Sequence, residues 1–546
     1  MFLRVKKTSG YKYLQIVESK REGVRIRQRV IGTIGRIDEL QERGQIDQLL
    51  KSLAKYSERA LLLLAGSSDP EAESKKVGPV LIFERLWKRL GIGEHIAGLL
   101  LKQRYRFKVE RAVFVTVLHR LMCSGSDRQA ERWQQGYKID GAEKIQLHHL
   151  YRAMAWLGNP LSEAEDMDSD GKAPRCIKDK IEENIFNQRR DIFTGMDLVF
   201  FDTTSIYFEG HGGETIGQRG HSKDSRSDLR QMVVGMVIDA EGYPVCCEIW
   251  PGNTTDVKSL MVVVRRLKKR FGIERICVVA DRGMISLQTI EDLETESLQY
   301  ILGVRMRNHK DIIRKLLTEG TYETVYAHRI HRHDPSPLSV KEVQVEGCRY
   351  IICDNPEEAK ADAEIRKQII ETLRKKLKSG NKELVGNKGY RRYLSTVKGC
   401  HFIIDEKKVK EEAMYDGKWI LTTNTKLAPR EVALKYKQLW MVERIFRDMK
   451  TILQSRPIFH KCDETIRGHV FCSFLALLLR KELDMALEHA GQRLEWEDIK
   501  TDLKALQETR IEENGKRISV RSRIQGCCGK VFAAVGVALP PTLKVT

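Results

Sequence analysis

Residues 197–209 read DLVFFDTTSIYFE, an apolar run that carries one carboxylate, Asp202, at or near the end of its apolar part. The run predicts a buried strand, and a carboxylate there is costly unless it is paired or bound to a cation. Residues 274–283, ERICVVADRG, repeat the arrangement, with a second apolar strand ending in Asp281. Functional groups of open α/β sheets gather at such strand ends. Taken singly, each aspartate is equally well read as a turn or capping residue just past its strand.

The sequence around these two strands predicts a mixed sheet. QMVVGMVIDAEG (231–242) and YPVCCEIWPGN (243–253) are further strands, with Glu241-Gly242 as the tight turn between them. TDVKSLMVVVRRLKKRFG (255–272) is an amphipathic helix, with Thr254 or Thr255 as its N-cap and Gly272 at its end. After the Asp281 strand come a helix-like ISLQTIEDLETE (285–296) and a strand QYILGVRM (299–306). Three strands, a helix, a strand, a helix and a strand match the arrangement of RNase H, which makes the expected fold class α/β with an RNase H-like mixed sheet.

The flanks read differently. FLRVKK, YKYLQIVES and VRIRQRVIGTIG, within residues 1–40, alternate apolar and charged positions as a small basic antiparallel sheet does. A helical run from Ile37 through LLLLAG (61–66) completes an expected N-terminal domain over 1–66, and EAESKK (71–76) reads as linker. Residues 77–190 show helical periodicity, as in Ile82-Leu86-Leu90, and form an expected helical domain with many arginines. Residues 307–416 look like a β-rich insertion that includes a charged helix from Pro356 to about Ser379. APREVALKYKQLWMVERIFRDMKTIL (428–453) reads as one long helix beginning near Pro429, and it closes an expected catalytic domain over 196–455. The rest, 456–546, reads as largely helical.

That long helix offers a third acid. Tyr436, Glu443 and Lys450 recur every seven residues, which returns them to within about 20° of one face. A chance helix edge carrying a Tyr, a Glu and a Lys is the plainer reading of this helix alone. Together, two strand-end aspartates and a helical glutamate supply the oxygen donors that suit Mg2+ or Mn2+ better than zinc. Two such ions can activate an attacking hydroxyl at a phosphodiester and stabilise the leaving oxygen. Lys450 would then hold a phosphate near the cut, with Tyr436 packed or hydrogen-bonded beside it.

Composition agrees with a polyanionic partner. The 95 Lys+Arg exceed the 75 Asp+Glu, for a formal charge of +20, and the basic residues are spread through folded-looking sequence. Each phosphate neutralised releases counterions and adds affinity. No apolar run reaches the roughly 18 residues of a membrane span, the nearest being Val470 to Leu479, and the N-terminus lacks an apolar signal core. The expectation is a cytoplasmic protein with no membrane partner. Twelve mostly isolated cysteines without zinc spacing read as reduced thiols. His328, His331, His333 and Asp334 read as a solvated turn.

At this point the chain resembles a bacterial insertion-sequence transposase of the DDE class, in the branch marked by a Tyr-x2-Arg-x3-Glu-x6-Lys signature. Tyr436, Glu443 and Lys450 match, and the arginine position is Leu439; Arg444 and Arg447 lie nearby as carriers of that charge. The similarity also runs through GHSKDSRSDLRQMVVGMVIDAEGYPV (220–245), PGNTTD (251–256), RPIFH (456–460) and IRGHVFCSFLALLL (466–479). Trp440, inside the signature, reads as a packing residue. The resemblance implies a catalytic and metal-binding triad of Asp202, Asp281 and Glu443 with two Mg2+ or Mn2+ ions. It implies DNA/phosphate contacts from Tyr436, Lys450, Arg444 and Arg447, double-stranded DNA as substrate, and a homodimer in the synaptic complex. DNA-end binding falls to residues 1–190. The alternatives are an RNase H-like nuclease or resolvase without strand transfer, and a catalytically inactive DNA-binding relative.

Overall fold

The computed structural model describes residues 1–8, 10–22, 25–54, 71–101, 103–162, 173–189, 198–224, 226–273, 276–284, 286–307, 310–326, 335–379, 388–397, 401–451, 457–513 and 516–545. The chain divides into two compact units. One combines Met1–Gly78, Thr501–Cys528 and Ala538–Thr546; the other combines Pro79–Lys500 and Gly529–Val537.

In the first unit, strands β1 (Phe2–Thr8), β2 (Tyr11–Glu22) and β3 (Arg25–Arg36) form an antiparallel meander. Two short helices, Ile37–Glu42 and Gln45–Ala54, come next in the chain. Residues 55–70, with the expected LLLLAG helix, lie outside the described residues, as does the His328–Asp334 group. The expected linker at 71–76 is instead a strand, β4 (Glu71–Lys76). Its charged sequence carries no strand signal; a partner strand late in the chain supplies its backbone hydrogen bonds, so tertiary pairing overrides propensity.

The second unit opens with helices between Gly78 and Arg189. It then builds the expected sheet: β5 (Leu198–Tyr207), β6 (Gln231–Ile238), β7 (Pro244–Pro251), β8 (Cys277–Ala280) and β9 (Gln299–Gly303). β5, β6 and β7 are an antiparallel meander, while β8 runs parallel to β5 and β9 parallel to β8. The order β7-β6-β5-β8-β9 is that of the RNase H sheet. Its strands are apolar almost throughout because both faces are covered. Val199 and Phe201 face a core shared with the Asp256–Phe271 helix, so by alternation Asp202 points to the opposite face.

The insertion is less separate than its sequence suggests. Strands β10 (Glu323–Tyr326), β11 (Leu338–Val345) and β12 (Cys348–Asp354) extend the same sheet. They join it through β15 (Lys418–Thr423), which pairs antiparallel with both β12 and β9. β13 (Leu394–Val397) and β14 (His401–Ile404) form a separate hairpin near the Pro356–Ser379 helix. The single helix expected from Pro429 is two, Pro429–Lys437 and Trp440–Thr451, because three-residue hydrogen bonds tighten the backbone around Gln438-Leu439.

After the helices Asp463–His489 and Trp496–Ala505, the expected helical C-terminus gives way to β16 (Gln507–Glu513), β17 (Lys516–Arg521) and β18 (Leu543–Val545). β16 pairs with β4, completing a four-stranded sheet of the first unit. KRISVR sets Ile518 and Val520 two residues apart, a short period-2 signal that the helical reading overlooked, while QETRIEE, with Ile511 as its one apolar residue, carries none. All described cysteines are free thiols, and no described helix is long and apolar enough to cross a membrane.

One buried ionic cluster braces the sheet. Arg270, from the Asp256–Phe271 helix, contacts Asp179 at 3.2 Å, Glu182 at 2.6 Å and Glu248 of β7 at 3.1 Å. Lys178 adds bonds to Asp179 and to the Cys247 carbonyl, and Arg266 reaches Glu248 at 2.5 Å. Arg270→Met should leave buried carboxylates uncompensated and lower the unfolding free energy by about 3 to 5 kcal/mol, measured by denaturant titration. A loss below about 1 kcal/mol would show that the cluster does not brace the sheet.

Candidate functional site

The two aspartates meet through strand register. Leu198, Val199 and Phe200 of β5 lie beside Cys277, Val278 and Val279 of β8. Two residues on along each strand, Asp202 and Asp281 therefore stand at the same level on neighbouring parallel strands. Asp202 is still inside β5, with Ser205 and Ile206 buried beyond it, whereas Asp281 immediately follows β8. Glu443 arrives in the first turn of the Trp440–Thr451 helix, whose Val442, Phe446 and Met449 are buried. That helix packs over β5 and β6. Asp202, Asp281 and Glu443 line one open cavity of about 250 Å³, together with Glu358, Trp419, Tyr436, Lys437, Leu439 and Trp440.

Tyr436 orients the second aspartate, donating its hydroxyl to Asp281 Oδ1 at 3.0 Å. Burial, and then the charge of Asp281, push the phenol well above its ordinary range, so it stays a neutral donor. The hydroxyl reaches in over Gly303 at the end of β9, where a Cβ would lie 2.4 Å from it. Asp202 Oδ1 accepts the Thr203 amide at 2.7 Å and forms an ion pair with Lys223 at 3.7 Å.

The other expected phosphate contacts are distributed differently. Lys450 Nζ donates to Asp224 Oδ1 at 2.9 Å. Arg444 lines a separate cleft of about 120 Å³ with Met441, Asp448, Arg480 and Asp484, and Arg447 is exposed; neither lines the acid cavity. Leu439, in the arginine position, is buried. Trp440, expected to pack, is 54 % exposed at the rim of both clefts because the helix break turns Leu439 inward instead.

Three residues at or beside the site escaped the sequence reading. Glu358 is the third residue of the Pro356–Ser379 helix, and its Oε1 accepts from the buried cap Asn355 at 2.7 Å. The Asn355-Pro356 helix start, with Glu three residues after the cap, was the available signal. Lys223 and Asp224 lie in GHSKDSRSDLR, where an adjacent cation and anion gave no periodicity to trace.

Four carboxylates line the open cavity, and the oxygens of Asp202, Asp281 and Glu443 are the donor type that suits hard divalent cations, with Lys223 offsetting part of the Asp202 charge. Among the described residues, the group whose ligand atoms all lie within 4.8 Å of one another is a different one, Asp127, His460 and His469. There Arg120 donates to His469 Nδ1 at 2.9 Å and His460 contacts both other members, at 3.1 and 3.3 Å. These bonds make it a polar tie between helices.

The Transposase DDE domain family model matches residues 193–479, more than half of the chain, and covers all three acids. The chain belongs to the DDE transposases. The IS1634 family transposase N-terminal domain matches residues 3–69, a span that includes most of the β1–β3 meander. No curated protein matches the chain. The transposase is thus an enzyme of a metal-dependent class whose substrate is DNA.

Tyr436→Phe should fold normally and reduce metal affinity or DNA cleavage about 10- to 100-fold if Asp281 is a cation ligand, because it removes the partner that orients that carboxylate. Gly303→Ala should reproduce the defect by displacing the same hydroxyl. Wild-type metal titration and cleavage in both variants would refute the positioning role.

Proposed function

We propose that the transposase binds the terminal inverted repeats of its own insertion sequence, pairs them in a homodimeric synaptic complex, and cleaves and transfers their 3′ ends. Asp202, Asp281 and Glu443 hold two Mg2+ or Mn2+ ions in this reading. The observation that carries it is the convergence of these carboxylates, from the middle of β5, the end of β8 and one helix, on one solvent-open cavity. When bound, such ions lower the pKa of an attacking hydroxyl and stabilise the leaving oxygen.

In the first step a water oxygen bonds to phosphorus as the bond to the 3′ oxygen breaks, releasing a 3′-hydroxyl. In the second, that hydroxyl attacks a target phosphate as the target's own bond to its 3′ oxygen breaks. The first step is a hydrolysis, with a proton passing from the water to the leaving 3′ oxygen, and the second exchanges one phosphoester bond for another, so neither requires an external energy source. Asp202 and Asp281 are fixed by the sheet, Tyr436 keeps Asp281 in orientation, and the exposed Glu443 closes the set from its helix.

DNA-end recognition is assigned to residues 1–190. The β1–β3 region supports this, being rich in Lys and Arg with few acidic residues over 1–36. A protein working on DNA is expected in the cytoplasm.

The test is purified protein with end-containing DNA and Mg2+ or Mn2+. Asp202→Asn, Asp281→Asn and Glu443→Gln should each abolish strand transfer while leaving DNA binding within about twofold of wild type. Cleavage without joining by the wild type would favour a nuclease or resolvase, and binding alone an inactive relative. Separately, the combined Lys6→Glu, Lys12→Glu and Arg29→Glu variant should lose specific end binding in a gel-shift titration. Undiminished binding would move recognition elsewhere.

A further inference from the structure

The loop between β5 and β6 places opposite charges side by side, Lys223 beside Asp202 and Asp224 on Lys450. Lys223 faces Asp202 at 3.7 Å, and its Nζ also donates to the Thr203 carbonyl at 2.7 Å and Thr203 Oγ1 at 2.8 Å. An ammonium has three donors. Thr203 offers it two uncharged oxygens, and Asp202 stands at 3.7 Å, an ion-pair rather than a hydrogen-bond distance. The next residue, Asp224, holds Lys450 at 2.9 Å with both side chains largely covered.

The loop itself is firmly seated. The Lys223 amide donates to Ser205 Oγ at 2.8 Å, and Ser222 Oγ accepts from the Asp224 amide. Gln231 Nε2 donates to the His221 carbonyl at 2.8 Å. Gly220 lies so close to the Gly252 carbonyl that a Cβ would sit 1.9 Å from it. Lys223 is therefore anchored from β5 itself, and its side chain remains 33 % exposed.

We propose that Lys223 binds a non-bridging oxygen of the backbone phosphate at the cleavage point, and that Asp224 is a positioning residue holding Lys450 for a neighbouring phosphate. The inference rests on the reading of the acid cavity as a phosphodiester-cleaving site. It adds a second cation to Lys437, which lines the cavity, whereas Leu439 is apolar and Arg444 and Arg447 do not line it; Lys223 reaches the site through its ion pair with Asp202 at 3.7 Å. A cation fixed by Thr203 needs no reorganisation when charge develops on the phosphate oxygens, the condition under which such contacts favour the transition state.

The test uses the full chain and a linear duplex ending in the terminal repeat that flanks its own coding sequence. Binding is measured across salt concentrations in EDTA, and cleavage across Mn2+ concentrations. Lys223→Met should lower the slope of log affinity against log salt by about 0.9, the value of one phosphate contact. It should slow cleavage at saturating Mn2+ by at least about tenfold, and Lys223→Arg should recover most of both losses. Lys223→Gln keeps a Thr203 hydrogen bond without the charge and should behave as Lys223→Met does, which separates charge from folding. Asp224→Asn should slow cleavage with an unchanged Mn2+ requirement.

An unchanged salt slope in both neutral variants would overturn the phosphate contact. So would a cleavage defect cured by added Mn2+, which would make Lys223 only a counter-charge for Asp202. Wild-type cleavage by Asp224→Asn would overturn the positioning of Lys450. If the wild-type chain cuts no end DNA, the reading of the cavity fails, while the slope in EDTA still decides the contact.

Discussion

The parallel pairing of β5 with β8 is the constraint on which the site depends. A sheet covered on both faces has room for carboxylates only where its apolar stretches give out, and parallel register brings two such places level. An antiparallel partner would have put Asp281 at the far end of the sheet from Asp202. The connection from β7 through the Asp256–Phe271 helix is what allows β8 to run parallel, since parallel neighbours need a long crossover. The amphipathic face of that helix is thus tied directly to the position of the second acid.

Other contacts keep the far end of β5 from fraying away from the site. Phe208, just past β5, bridges to Ile458, so the chain at Ile458 runs beside the strand that carries Asp202. His460, two residues on, meets Asp127 and His469, and Arg120 ties the same group to Ser473 of the Asp463–His489 helix. On the opposite face, Arg270 and Lys178 link β7 to the helices behind it. Burying so many charges is costly, and their net contribution comes from geometry in which each has a partner. Placing such groups on both sides of the sheet fixes the strand positions to which the aspartates are attached.

The central sheet was legible because its strands are short, apolar and bounded by turn residues, and because the two aspartates break otherwise uniform runs. Of the evenly spaced Tyr436, Glu443 and Lys450, the first two line one cavity despite the break at Gln438-Leu439, while Lys450 pairs with Asp224. Where the sequence misled, a distant partner decided the outcome. EAESKK becomes a strand only because β16 lies beside it, and β10–β12 look detached only because β15, their link to β9, is encoded far downstream of β12. Lys223, Asp224 and Glu358 were missed for a related reason. Their significance comes from the groups that stand opposite them, and side-chain partners distant in sequence leave no local pattern.

The continuity of the sheet changes what the insertion does. β15 binds β9 on one edge and β12 on the other, so the insertion strands share the hydrogen-bond ladder that positions Gly303 and, through it, Tyr436. The Pro429–Lys437 helix packs against β8, β9, β11 and β12 together, spanning the original sheet and its extension. Trp419 and Glu358 reach the cavity wall from the same extension. A displacement of β12 would therefore be felt at β15, then at the helix carrying Tyr436, and finally at Asp281. Glu443 is held differently, by packing of its own helix over β5 and β6. The three acids of the cavity are thus supported from two directions, with Asp202 and Asp281 fixed by the sheet and its extension and Glu443 by a helix laid across it.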